Sequence, residues 1–265
     1  MSRASEREWV SYWKWLQVAA VVPLGFVEAQ LMPTLFGGGR HHHYQAVAAP
    51  PQPVTAADMD AEIRKQGLQI FEAIAREFPD DYDAMLRKMV AVAQTGSKTE
   101  VRNASREAVA DLRQRYIPLL PSAPNSEASQ ALSAQLDMLN HVMARETPAT
   151  CNSYLRYGPG AIDAADNAFM MDLDRIGATL FRALGAAKRS RLPAAVPSDQ
   201  DWSLVADVFS EIGGTPAEME AIANLDQGFE GLCPAVAKFY DAALSLQGEP
   251  GWRVKTALLY AITKN

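Results

Sequence analysis

Between residues 162 and 184, apolar side chains recur at intervals of three and four: Ile162, Ala165, Phe169, Leu173, Ile176, Leu180 and Leu184. On an α-helix these positions form one stripe, and the stripe must be buried against neighbouring elements. A chain with such a helix in its middle folds as packed helices unless strands elsewhere supply a sheet. No stretch here shows sustained two-residue alternation with β-branched enrichment, so no sheet is expected. Residues 55–265 are therefore expected to form one all-α domain, with the 162–184 helix central.

The flanking segments repeat the pattern. Thr55 reads as an N-cap, and Met59, Ile63, Ile70, Ile74 and Phe78 follow at helical spacing up to Pro79. Tyr82, Met85, Leu86 and Met89 mark a second helix, stopped by Gly96; Val101, Ala108, Leu112 and Tyr116 mark a third, ending at Pro118. Pro121 and Pro124 punctuate a loop before Leu132, Leu136, Leu139 and Met143. Trp202, Val205, Phe209 and Ile212 give a shorter helix stopped by Gly213-Gly214. Thr215-Pro216-Ala217-Glu218 has the spacing of a capping box with proline at the first helical position. Its helix should carry Met219, Ile222, Leu225, Phe229 and Leu232, with Pro234 kinking or restarting it. Val254, Leu258 and Ile262 close a count of about seven helices.

Upstream, the composition changes. Residues 13–36 contain an apolar run, Val18 to Val27, interrupted by Pro23 and Gly25, with Leu31, Met32, Leu35 and Phe36 beyond Glu28 and Gln30. Trp9, Trp13 and Trp15 crowd its upstream edge, as amphipathic rings do at a membrane interface. A helix over 13–36 is long enough to span a hydrocarbon core of about 30 Å. Alternatively the run is the core of an export signal cleaved near Ala29, or a buried helix of a soluble fold. Arg3, Arg7 and Lys14 precede the run, so residues 1–12 should stay in the cytoplasm. The first two readings then place the body in the bacterial periplasm, either on a single inner-membrane pass or free after cleavage. Residues 37–54, rich in glycine and proline, read as a flexible linker.

Two cysteines, Cys151 and Cys233, lie in the body. An oxidising compartment would join them. Net charge is −6 and no dense basic tract appears, which excludes nucleic-acid binding as a main role. The adjacent His41, His42 and His43 cannot all face one tetrahedral metal centre, and only His141 remains elsewhere. No metal, cofactor or histidine-based triad is implied, and His141 is expected to be a surface or hydrogen-bonded residue. The pairs Asp80/Asp81, Asp172/Asp174 and Asp199/Asp201 raise the chemistry of paired carboxylates. Two of these pairs fall at helix starts, where acids offset the dipole; the third is expected to face solvent. Tyr154, Arg156 and Tyr157, beside Gly158-Pro159-Gly160, have the residue types of a binding anchor. The expected role is non-enzymatic: an envelope protein that binds or supports a protein partner. An immunity-type inhibitor of an envelope-acting toxin and a cell-wall enzyme using one of the carboxylates are the alternatives.

Overall fold

The computed structural model describes residues 54–163 and 166–264. Within them every regular element is helical: eleven α-helices and two short 3-10 turns. They are α1 (Ala56–Gln66), α2 (Gln69–Glu77), α3 (Pro79–Ala93), α4 (Lys98–Tyr116), α5 (Asn125–Arg145), α6 (Pro148–Tyr157), α7 (Asn167–Arg189), α8 (Asp199–Glu211), α9 (Pro216–Asn224), α10 (Leu232–Ser245) and α11 (Gly248–Lys264). The 3-10 turns, Ile117–Ser122 and Gly158–Ala161, follow α4 and α6. No helix of the described residues is long and apolar enough to cross a membrane. The 13–36 segment, Trp9, Trp13 and Trp15, the linker up to residue 53 and the three adjacent histidines lie outside the described residues.

The eleven helices among the described residues exceed the expected count of about seven, and three local features account for most of the difference. Met59 to Phe78 is two helices because Gly67 adopts φ 66°, a left-handed cap that only glycine takes without strain. Helix α2 then starts in a new direction. The segment from Pro148 to Tyr157, not named above as a helix, forms one of ten residues. The helix begun at Thr215 stops at Asn224, and Pro234 sits in the first turn of a new helix, where its missing N–H costs nothing. The capping boxes form: Thr55/Asp58, Ser97/Glu100, Ser198/Asp201 and Thr215/Glu218 each exchange side-chain and backbone bonds.

Helix α7 is central. It packs against α2, α5 and the turn Ile117–Ser122, burying Leu173, Ile176, Leu180, Phe181 and Leu184. It begins at the N-cap Asp166, so Ile162 precedes it and packs as a buried loop residue. The contact with α2 is close enough that a β-carbon on Gly177 would come within 2.5 Å of the Ile70 side chain. Helices α5, α10 and α11 form the other half of the core, and α8 and α9 pack on α10.

Candidate functional site

Cys151 and Cys233 lie at disulfide distance, with sulfurs 2.04 Å and Cα atoms 6.1 Å apart. Both are buried, and the link ties α6 to α10. Beside it, the Asn152 amide donates to the carbonyls of Gln227 and Phe229 at 3.3 and 3.0 Å, so α6 also holds the loop between α9 and α10.

The three anchor candidates on α6 divide. Tyr154 is buried, its ring edge-on to Phe169, and burial raises its hydroxyl well above the ordinary phenol range. That is a correction: it is a core residue, because position 154 lies one turn after Cys151 on the face turned to α10. Arg156 is exposed and lies over the Tyr157 ring, 5.6 Å from its centre; Tyr157 is 56% exposed. Only these two remain available to a partner.

The acid pairs mostly serve as ties. Asp81 bonds Arg115 and the Tyr116 hydroxyl across α3 and α4. Asp174 is buried, correcting the expectation that it faces solvent. Its two oxygens accept from the backbone N–H groups of Gln69 and Ile70 at 2.8 and 3.0 Å, capping α2 from 104 residues away. Burial raises its carboxyl above the usual range despite these bonds. Asp201 pairs with Arg253.

His141 belongs to a ladder between α5 and α7. Along α5, Asp137, His141 and Arg145 recur every four residues on one face. Asp137 pairs with Arg175, His141 Nδ1 with Asp172 at 2.8 Å, and Arg145 with Asp166. His141 Nε2 is buried without a hydrogen bond, 3.9 Å from Asp166, beside a cavity of about 30 Å³. That space holds about one water and no substrate. Among the described residues no group of three or more His, Cys, Asp or Glu side chains is arranged to hold a metal ion.

The feature that residue-by-residue reading missed is a charge asymmetry. From Leu192 to Ala237 there is no Lys, Arg or His, while eight acids occur. Asp201 and Glu218 are engaged by Arg253 and Lys238. The other six, Asp199, Asp207, Glu211, Glu220, Asp226 and Glu230, are exposed on α8, α9 and the loop after them. Leu204 on α8 and Ile212 at its C-terminal cap are 38% and 47% exposed. The corner is fixed from beneath: the Lys238 ammonium donates to the Gly213 carbonyl at 3.0 Å and to Glu218 at 2.9 Å. The depletion of bases over this window was countable in the sequence.

No protein-family model, no curated protein and no solved structure matches this chain.

Proposed function

We propose that the chain is a non-enzymatic envelope protein whose periplasmic body, anchored at the inner membrane through residues 13–36, binds a protein partner. The observation that carries the binding role is the acid-rich run on α8, α9 and the loop after them, with six exposed acids, no base in the sequence from Leu192 to Ala237, and two exposed aliphatic side chains, Leu204 and Ile212. Charge of one sign speeds encounter with an oppositely charged partner and rejects like-charged ones. Leu204 and Ile212 supply apolar contact that charge alone does not. The partner is therefore a protein with a basic face. The disulfide geometry supports the location, because thiols are oxidised to such links outside the reducing cytoplasm. An immunity-type inhibitor of a basic toxin would use the same face and differs only in the partner's activity.

The test is a triple charge reversal, Asp207→Lys, Glu211→Lys and Glu220→Lys, none of which carries a tie described above. Complexes are captured from detergent extract at low and high salt, beside wild type. The reading expects a specific partner with wild type, weakened by salt and lost in the triple variant. Equal recovery with both proteins would refute this face as the binding surface. A cytoplasm-only reporter that is active when fused after Asn265 would refute the location.

A further inference from the structure

A second surface lies at the opposite end of the sequence. The first turns of α1, the end of α3 and the start of α4 enclose a groove of about 230 Å³. Val54, Met59, Ala93 and Val101 make its apolar lining, with Asp58 and Lys98 among the polar residues beside them. This volume exceeds the roughly 150 Å³ that accommodates a benzene ring in a protein interior. It therefore has room for several small aliphatic side chains.

We propose that the groove is the seat of the chain's own segment Ala46–Pro53. Three observations select this occupant. Val54, the first described residue, is itself a wall of the groove, so the chain arrives from residue 53 at its edge. The arriving sequence, Ala46-Val47-Ala48-Ala49-Pro50-Pro51-Gln52-Pro53, has no charged residue and only one polar side chain, and an apolar groove takes such a sequence without desolvating charge. The segment is also covalently attached. A short tether gives an effective concentration in the millimolar range, so a contact with an intrinsic Kd of about 0.1 mM already keeps the seat roughly nine-tenths filled. Three prolines lower the ordering cost, since their φ is fixed beforehand. A docked strap of this kind joins the body directly to whatever lies upstream of residue 46 and shortens the free linker by eight residues.

Backbone deuterium exchange on the full chain tests this, with peptides covering residues 44–58 and with two variants. Ala93→Glu places a charge in the groove at a half-buried position; Val47→Asp places one in the strap. Thermal unfolding of each variant confirms that the body is folded. The N–H groups of Ala46, Val47, Ala48, Ala49 and Gln52 should exchange at least tenfold more slowly than in an unstructured peptide of the same sequence. Either variant should remove that protection. Exchange at the free-peptide rate in the wild type overturns the proposal. So does protection that survives both substitutions. Protection that grows with protein concentration would assign the groove to a second copy and equally overturn it.

Discussion

Asp201 and Arg253 are joined by two parallel hydrogen bonds, each 2.8 Å, from the guanidinium Nε and Nη2 to the two carboxylate oxygens. Asp201 is buried and also accepts from the Ser198 N–H at 2.7 Å, so one carboxylate both caps α8 and fastens it to α11. These bonds, with the Arg253 guanidinium foremost, hold its carboxyl down at about 2, against 3.8 for a free aspartate. A depressed carboxyl stabilises the fold above its unfolded value, and that contribution is lost as pH falls through the folded one. The difference corresponds to about 2 kcal/mol. Melting temperature should therefore fall between pH 3.8 and 2 through this pair. Arg253→Leu should lower stability at pH 7 and flatten that part of the profile. If the wild-type and variant profiles stay parallel across the window, the pair carries no acid sensitivity.

Asp174 should act with the opposite sign. Burial raises its carboxyl even though the Ile70 and Gln69 amides oppose the shift. A raised carboxyl favours the fold below its unfolded value, and that contribution is lost as pH rises through the folded value. Asp174→Asn keeps an acceptor for the start of α2 without the buried charge. It should cost less than Asp174→Ala, which leaves two N–H groups without their cap and should cost about 1–2 kcal/mol. Urea denaturation at pH 7 ranks the three proteins. Equal midpoints for Asn and Ala would show that the cap contributes nothing.

The distance between these partners explains what could be read in the sequence. Periodicity identified the all-helical class and the central helix, because Leu173, Ile176, Leu180 and Leu184 answer only to their own spacing. The N-cap Thr55 and the capping box at Thr215 were legible for the same reason: donor and acceptor sit three residues apart. Asp174 and Gln69 are 105 residues apart, and His141 and Asp172 are 31 apart. No local pattern marks such pairs, so Asp174 reads as solvent-facing until α2 is seen to start against it. The break at Gly67 was visible as a glycine, yet its left-handed φ depends on where α2 must go. At Tyr154 the residue type pointed outward and the helix face pointed inward, and burial against Phe169 decided.

Gly177 gives a packing prediction. Alanine is the better helix former by about 1 kcal/mol, so an exposed glycine at mid-helix would gain from the exchange. Here the added methyl meets Ile70 at 2.5 Å. Gly177→Ala should destabilise by about 1–3 kcal/mol, as overpacking of a tight core does. Gly177→Ala combined with Ile70→Val, which trims the opposing side chain, should recover part of that loss. A single variant as stable as wild type would mean that α2 and α7 separate at little cost.

The Cys151–Cys233 link closes a loop of 82 positions. Cross-linking over that length restricts the unfolded chain, and removing a native disulfide costs about 2–5 kcal/mol. Both sulfurs are buried, so mild reductant should not reach them in the folded state. Cys151→Ser with Cys233→Ser should lower the urea midpoint and leave helical content unchanged. The loss should concentrate around α6, because the disulfide and the Asn152 amide are its ties to α10 and to the loop preceding it. Exchange protection in α6 should fall first, while the core of α7 stays protected. Thiol labelling of denatured, unreduced protein from the native compartment should find no reactive thiol. Two reactive thiols per chain would show that the link does not form there, and would remove the support it gives to a body outside the cytoplasm.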